Sequence, residues 1–220
     1  AKKIRSRSST NLEESVATAD LVIESVFEDL ALKRHVFADL DRLCPDHAIL
    51  ASNTSGLMPD TFANATCRPD RVLVTHYANP PHLIPLVEVV PNRKTSEKTL
   101  STACRLLEQI GKRPIVVYKQ VPGFVLNRLQ CALLREALWL VENKVATAQD
   151  IDYAISNSIG RRWSVAGIFQ VFEIPGWDLV ESIAKNILPD LSTTSEVSPV
   201  LRNKVVAGEV GVKTGKGFYD

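Results

Sequence analysis

The sequence lacks the features that would assign it to several large classes of protein. It has no CxxC pair among its four cysteines, so no metal site is predicted and the reduced thiols of a cytoplasmic protein are expected. No apolar stretch reaches the roughly 20 residues of a membrane helix, and none follows the basic N-terminus, so neither a membrane span nor a secretory signal is expected. With 26 Lys+Arg against 25 Asp+Glu, the basic surplus of nucleic-acid binders and polybasic membrane binders is also missing.

The sequence also lacks the glycine-rich motif that binds the phosphates of a dinucleotide. A dinucleotide-binding sheet normally opens with a strand, the motif Gly-x-Gly-x-x-Gly and a helix, and the ten glycines never form that motif. The stretch Lys213-Thr-Gly-Lys-Gly217 is locally rich in glycine, but its spacing differs from a phosphate-binding loop. It follows the last predicted helix, so we interpret it as a turn.

The first half of the chain alternates between strand and helix patterns. Helical spacing of apolar residues predicts helices over 29–43 and 96–110, and a short helix is expected after Pro59. Short runs rich in β-branched residues predict strands at 20–26, 48–51, 71–77, 86–90 and 114–118. Such alternation predicts an α/β fold, a partial Rossmann-type sheet that is mostly parallel, with ligands bound at the carboxyl ends of its strands.

No strong strand pattern follows Tyr118, and the second half is predicted to be all-helical. Helices are expected at 124–141, after Thr147 with Gly160 beyond its end, at 165–174, at 177–188 and after Ser198-Pro199. We therefore predict a nucleotide-binding domain at 1–120 and a helical substrate and dimerisation domain at 121–220. The wide apolar face of the 124–141 helix needs the first domain or a second subunit to cover it.

Four short segments stand out by their order and separation: Ser52-Asn-Thr-Ser-Gly-Leu57, Thr75-His-Tyr-Ala-Asn-Pro80, Pro85-Leu-Val-Glu-Val89 and Val121-Pro-Gly-Phe-Val-Leu-Asn-Arg-Leu129. Together they resemble the L-3-hydroxyacyl-CoA dehydrogenase family, whose patterns SNTSS, H-x-x-NP, LVEV and PGFxxNR occur in that sequence. The resemblance runs from about Ile4 to Asp220. Residues 56–59 and 79–88 look closest to the λ-crystallin/L-gulonate dehydrogenase-like branch. The family's glycine-rich first part is expected to lie before Ala1 and to be absent here.

His76 and Glu88 are the predicted catalytic pair. Oxidation of an alcohol needs a base for the hydroxyl proton, and a neutral imidazole at a strand end suits that task. A carboxylate within the apolar run 86–90 is costly to bury without a partner, and a histidine would be that partner. Structural alternatives are a hydrogen-bonded strand-end histidine and a solvent-facing glutamate on an edge strand.

The resemblance also implies binding residues. Ser55 and Asn127 match positions that contact the substrate's hydroxyl and carbonyl, although each also suits a helix cap. Glu28, Lys33 and Asn79 match positions near the nicotinamide ribose and amide of the cofactor. Glu28 and Lys33 are equally compatible with an acid at a helix start and a solvated helix face.

The resemblance implies an NAD-dependent enzyme, a homodimer, that oxidises the 3-hydroxyl of a 3-hydroxyacyl-CoA or a related 3-hydroxy acid, as in fatty acid metabolism. NADP stays open as the cofactor, because the acidic residue that selects NAD would lie upstream. Two other interpretations remain at this point. One is a non-catalytic structural, crystallin-like or dimerisation protein, and the other is an incomplete copy unable to hold the cofactor.

Overall fold

A computed structural model describes residues 8–219, which form two compact units that divide between Arg128 and Leu129. The start of the predicted first domain, residues 1–7, and Asp220 lie outside the described residues.

One five-stranded sheet lies at the centre of the first unit, with the spatial order β1-β2-β3-β4-β5. The strands are β1 Leu21–Glu24, β2 Ile49–Ser52, β3 Val72–Tyr77, β4 Leu86–Pro91 and β5 Arg113–Val116. Neighbouring strands are parallel except for β3 and β4, which run antiparallel and place His76 directly opposite Glu88. The predicted fold class, a mostly parallel Rossmann-type sheet with flanking helices, is confirmed.

The helices of this unit begin and end where local chemistry dictates. They are α1 Leu12–Val16, α2 Leu30–Leu43, α3 Asp60–Ala63 and α4 Glu97–Gln109. Asp29 caps α2 by accepting a hydrogen bond of 2.7 Å from the amide of Leu32, and Pro45 follows shortly after its end. Ser96 caps α4 in the same way. The sequence analysis did not predict α1, which has only five residues.

Apolar clusters cover both faces of the sheet. On one face, side chains of α2 and α3, among them Phe37 and Phe62, pack against Val74 of β3, with ring centroids of the two phenylalanines 4.7 Å apart. On the other face, Ala103 and Leu107 of α4 pack against β2, β3 and β4. The sheet is therefore a rigid base for the polar residues at its edge.

The second unit is helical in its described part, and this prediction is confirmed. Its elements are α5 Leu126–Glu142, which begins just before the boundary, α6 Ala148–Ala154, a π-helical turn Ile155–Ile159, α7 Gly160–Trp163, α8 Ile168–Glu173, α9 Trp177–Ile187, a 3₁₀ turn Leu188–Asp190 and α10 Pro199–Val206. Thr147 and Asp150 form the capping box of α6. The expected end before Gly160 is wrong, because the helix continues through the π turn into α7.

The second unit buries few side chains. Among its described residues only Leu138, Val171 and Ser192 are buried, whereas Leu179, Ile183 and many other apolar side chains are about half exposed. A unit with so little core is not expected to be stable without further contacts. No helix among residues 8–219 has the length and apolar character needed to cross a membrane.

Candidate active site

The catalytic pair predicted from sequence forms in the structure. His76 Nδ1 lies 2.7 Å from Glu88 Oε2, and the two side chains are 5% and 0% exposed. The contact follows from the antiparallel register of β3 and β4, which puts the two residues opposite each other. Glu88 as the acceptor fixes the Nδ1–H tautomer of a neutral imidazole and leaves the lone pair on Nε2.

Nε2 of His76 is available for chemistry. Among the described residues this atom has no hydrogen-bond partner, while the ring packs beside Phe124 with centroids 5.7 Å apart. Phe124 is fully buried. The aromatic contact and the Glu88 hydrogen bond together hold the imidazole in one orientation, as a positioned base requires.

Glu88 is held in turn by the start of α5. Its Oε1 atom accepts hydrogen bonds from the amides of Val125 at 2.8 Å and Leu126 at 2.9 Å. A turn with positive φ at Gly123 (75°) and Phe124 (50°) precedes these amides. Two N–H donors at the start of a helix complement a carboxylate, and a carboxylate held in this way can stabilise an imidazolium.

Ser55 and Asn127 are also brought together. Ser55 lies exposed in the loop after β2, and Asn127 lies in the first turn of α5. The Nδ2 atom of Asn127 donates a hydrogen bond of 3.2 Å to the backbone carbonyl of Ser55. Ser55 and Asn127 are therefore neighbours, where the loop after β2 meets the start of α5. The Ser55 hydroxyl has no hydrogen bond to described residues.

The Ser55 loop is tied to the strand that carries His76. Asn53 Oδ1 accepts a hydrogen bond of 3.2 Å from the backbone amide of Tyr77. Burial raises the pKa of the Tyr77 phenol above its ordinary value of 10, so that hydroxyl stays protonated at neutral pH. The loop after β2 and the end of β3 thus form one edge of the sheet, where parallel α/β sheets bind ligands.

Two of the predicted cofactor residues meet at the end of β1. Lys33 Nζ lies 3.4 Å from Glu28 Oε2, and the Glu28 side chain is 48% exposed. Lys33 itself is only 1% exposed, and its ammonium group also lies 2.9 Å and 3.0 Å from the carboxylate oxygens of Glu24. A direct contact between Lys33 and a cofactor would require the ammonium group to leave these partners.

The third predicted cofactor residue stands apart. Asn79 follows β3, is exposed, and has no hydrogen bond to another of the predicted site residues in the described part of the chain. Its side-chain amide is free to bind a ligand, but the structure alone gives it no partner.

Sequence reasoning missed three polar residues of this edge. Glu24 is 4% exposed, Ser52 is fully buried and Thr54 is 1% exposed, and all three belong to one hydrogen-bonded network. The signals were present: a carboxylate ends an apolar strand, and hydroxyl residues flank Asn53 in the loop. The resemblance directed attention to Ser55 instead.

The fold and this edge define a class of protein. A Rossmann-type sheet with a buried His–Glu pair, an available imidazole nitrogen and nearby hydroxyl and amide groups is typical of a dinucleotide-dependent alcohol oxidoreductase.

Comparison with known families agrees. Residues 2–121 match the sequence model of the 3-hydroxyacyl-CoA dehydrogenase NAD binding domain, and residues 123–220 match that of the 3-hydroxyacyl-CoA dehydrogenase C-terminal domain. The chain therefore belongs to the 3-hydroxyacyl-CoA dehydrogenase family, whose members are NAD-dependent oxidoreductases. The predicted family and the predicted cofactor NAD are confirmed.

Individual relatives are similar over most of the chain. A 5-formyl-3-hydroxy-2-methylpyridine 4-carboxylate 5-dehydrogenase from Mesorhizobium japonicum is 38% identical over 97% of this chain and 69% of its own length. An L-carnitine dehydrogenase from Bacillus cereus is 37% identical over 98% of this chain and 68% of its own length. An L-carnitine dehydrogenase from Pseudomonas sp. is 42% identical over 77% of this chain and 53% of its own length.

Solved structures share the fold. The crystal structure of a 5-dehydrogenase for the same pyridine carboxylate, described as an NAD⁺-dependent dismutase, matches with a TM-score of 0.93 and 37% identity over 96% of this chain and 68% of that chain. FadB2 of M. tuberculosis matches with a TM-score of 0.77 and 34% identity over 96% of this chain and 73% of that chain. The chain spans about two thirds of the length of these proteins.

Proposed function

We propose that the protein oxidises the 3-hydroxyl of a 3-hydroxyacyl-CoA or a related 3-hydroxy acid to the 3-keto product, with His76 and Glu88 as the base system. The observation that carries the proposal is the buried contact of 2.7 Å between His76 Nδ1 and Glu88 Oε2. It orients a neutral imidazole at the edge of the sheet where ligands bind.

The chain's own residues account for the movement of the proton. His76 Nε2 accepts the proton of the substrate hydroxyl, and the imidazolium that forms is stabilised by Glu88. The amides of Val125 and Leu126 hold the Glu88 carboxylate in place for this step. NAD, when bound, supplies the acceptor for the hydride that leaves the substrate carbon. Ser55 and Asn127 orient the substrate oxygen atoms.

The residues near Glu28 fit one end of the cofactor. The Glu28 carboxylate is half exposed and held by Lys33, so it can accept hydrogen bonds from ribose hydroxyls. Asn79 offers an exposed amide for the carboxamide of nicotinamide. Lys33 supports Glu28 from the interior, since its ammonium group is buried against Glu24. In this proposal Lys33 acts on the cofactor through Glu28.

The substrate class follows from the relatives and the chemistry of the site. Two of the relatives described above are L-carnitine dehydrogenases by name, and carnitine is itself a 3-hydroxy acid. The sequence departs from the SNTSS pattern at Gly56, beside Ser55, and the structure leaves open space next to Gly56. The names of these relatives favour a 3-hydroxy acid or its thioester as substrate, and the open space beside Gly56 sets no limit on its size.

Steady-state oxidation of 3-hydroxybutyryl-CoA, L-carnitine and L-gulonate, each with NAD⁺ and NADP⁺, tests the proposal through the absorbance of the reduced nicotinamide. We expect oxidation of at least one substrate with NAD⁺ and its loss in His76→Ala. His35→Ala is the control, since His35 is a surface residue with a 77% exposed side chain. Oxidation of none of the three substrates, or full activity of His76→Ala, would overturn the proposal.

We also propose that the protein is a homodimer through its helical half. Among the described residues of the second unit only Leu138 and Val171 are buried apolar side chains, and α9 leaves Leu179, Ile183 and Ile187 about half exposed. Closed two-fold dimers are the commonest way to cover such surface. Light scattering should give twice the mass of one chain, and a monomer that persists at all concentrations would contradict the proposal.

A further inference from the structure

The loop that carries Ser55 is organised by the hydroxyl of its neighbour Thr54. Thr54 Oγ1 donates a hydrogen bond to Glu28 Oε1 and accepts hydrogen bonds from the amides of Gly56 at 3.3 Å and Leu57 at 3.0 Å. A hydroxyl has one proton to donate and two lone pairs to accept with, so this group is fully used. The hydroxyl of the residue before Ser55 thus binds the backbone amides of the two residues after it.

The buried carboxylate of Glu24 is connected to the same loop through Ser52. Glu24 Oε2 accepts a hydrogen bond of 2.6 Å from Ser52 Oγ, and Ser52 Oγ accepts one of 3.2 Å from the amide of Thr54. Glu24 also pairs with Lys33, which in turn contacts Glu28. Two routes therefore connect Glu24 to Thr54, one through Ser52 and one through Lys33 and Glu28.

We propose that Thr54 is a positioning residue for Ser55, and that Glu24 and Lys33 form the buried anchor of this network. The inference rests on the proposed function, in which Ser55 orients the substrate oxygen. The Ser55 side chain is exposed and has no hydrogen bond to described residues, so its placement depends on the backbone around it. The amides that follow Ser55 are held by Thr54 Oγ1 alone among the described side chains.

The network also holds the Glu28 carboxylate, although this side chain is half exposed. Surface carboxylates normally sample several rotamers, because solvent satisfies their oxygens. Here Thr54 holds Oε1 and Lys33 holds Oε2, so the carboxylate is fixed without a ligand. One hydroxyl thus links the substrate side and the proposed cofactor side of the same edge.

Removal of that hydroxyl at constant shape is the direct test. Thr54→Val should lower kcat/KM for the best substrate by about 10- to 100-fold, because misplacement of a binding group by about 1 Å costs that much. Thr54→Ser retains the hydroxyl and should recover most of the loss. Thr66→Val is the matched control: Thr66 is 8% exposed and donates only to the carbonyl of Ala63, so its variant should keep wild-type kinetics.

A double-mutant cycle separates positioning from mere structural support. If Thr54 acts through Ser55, then at saturating NAD⁺, where any effect through Glu28 on cofactor binding is removed, Thr54→Val should cost little in a Ser55→Ala background, whereas independent roles give additive losses. Additive losses in an active enzyme would overturn the inference and leave the proposed function intact. A wild-type protein that oxidises no 3-hydroxy substrate would instead overturn the proposed function and the positioning role with it.

Amide hydrogen exchange tests the network independently of activity. The amides of Gly56 and Leu57 should exchange faster in Thr54→Val than in the wild type, while Thr66→Val should leave both unchanged. Unchanged exchange in Thr54→Val would show that the hydroxyl does not hold the loop. That result would contradict the inference whatever the kinetics.

Discussion

The two ends of the sheet in the first unit both bury charged side chains, but they use them differently. At the opposite end from the candidate active site, Arg71 donates hydrogen bonds to Asp41 Oδ1 at 2.8 Å and to the carbonyls of Asp41 and Pro45. Asp41 Oδ2 accepts a further bond from the amide of Cys67. This cluster ties the end of α2 to the start of β3 and leaves both carboxylate oxygens occupied.

The functional end leaves some polar atoms uncommitted. Nε2 of His76 has no partner among the described residues, and Ser55 and Glu28 reach solvent. At the opposite end Arg71 Nε also lacks a partner among the described residues, but that atom is an N–H donor, whereas His76 Nε2 keeps a lone pair that can accept a proton. Substitutions at the two ends should therefore separate into losses of rate and losses of stability.

The largest effect is expected for the His–Glu pair. His76→Ala should lower the turnover of the best substrate by roughly 10²–10⁴-fold, the usual contribution of a general base, and Glu88→Gln by nearly as much. The double variant should be little worse than either single one, because the two residues act as a unit. Steady-state kinetics of all three variants check this, and additive losses would show that the two residues do not form one base system.

The second prediction concerns Asp41 at the other end of the sheet. Asp41→Asn should lower the free energy of unfolding by about 3 kcal/mol, because it leaves the buried Arg71 without its charge partner. Turnover below the melting range should not change. Urea denaturation measures the loss, and Asp46→Asn is the control. Asp46 is 95% exposed in its pair with Arg68, so that variant should stay within about 0.5 kcal/mol of the wild type. Equal losses of unfolding free energy in Asp41→Asn and Asp46→Asn would show that the buried pair contributes no more to stability than the exposed one.

The third prediction is the pH dependence of that stability. Burial alone raises the pKa of Asp41, but the Arg71 hydrogen bond, the Cys67 amide and the nearby Arg68 outweigh it and hold the pKa below its ordinary value of 3.8. A lowered pKa in the folded state gives stability that is complete above the ordinary value and is lost as the pH falls through the lowered one. The difference between wild type and Asp41→Asn should therefore persist at neutral pH and shrink in acid below 3.8. A difference that grows in acid would contradict the assignment.

The smallest effect is expected in thiol reactivity. Cys44 is 6% exposed and burial raises the pKa of its thiol above 9.0, whereas Cys67 is exposed. A thiol reagent should label Cys67 quickly in the folded protein and Cys44 only on unfolding, which peptide mass spectrometry can resolve. Asp41→Asn should modestly accelerate labelling of Cys44, because it loosens the end of α2. Equal rates at the two cysteines would show that this end of the sheet opens freely.

Local sequence chemistry predicted much of the fold. The helices expected over 29–43 and 96–110 form, and the structure shows Asp29 and Ser96 capping their starts, an effect that acts within one turn of the chain. The failures are equally local in origin. Gly160 breaks a helix only weakly, and the π turn Ile155–Ile159 carries the chain through it into α7.

Site residues that belong to sequence motifs could be predicted, whereas those that come together only through tertiary contacts could not. His76, Glu88, Ser55 and Asn127 were found by their motif context, and the roles given to them remain predictions. The network of Glu24, Lys33, Ser52 and Thr54 was missed because it joins residues from β1, α2, β2 and the loop after β2. No short-range pattern encodes a contact of that kind.

By itself the sequence determined the alternation of strands and helices, the all-helical second half and the family, because periodicity and motifs are properties of neighbouring residues. Only the tertiary structure decided that β4 runs antiparallel to β3, which sets His76 opposite Glu88. It alone buried Lys33 against Glu24, where the sequence suggested a solvated helix face. The physical reason is that register and burial arise from packing between distant segments, where a charged group is retained only beside the partner that the fold brings to it.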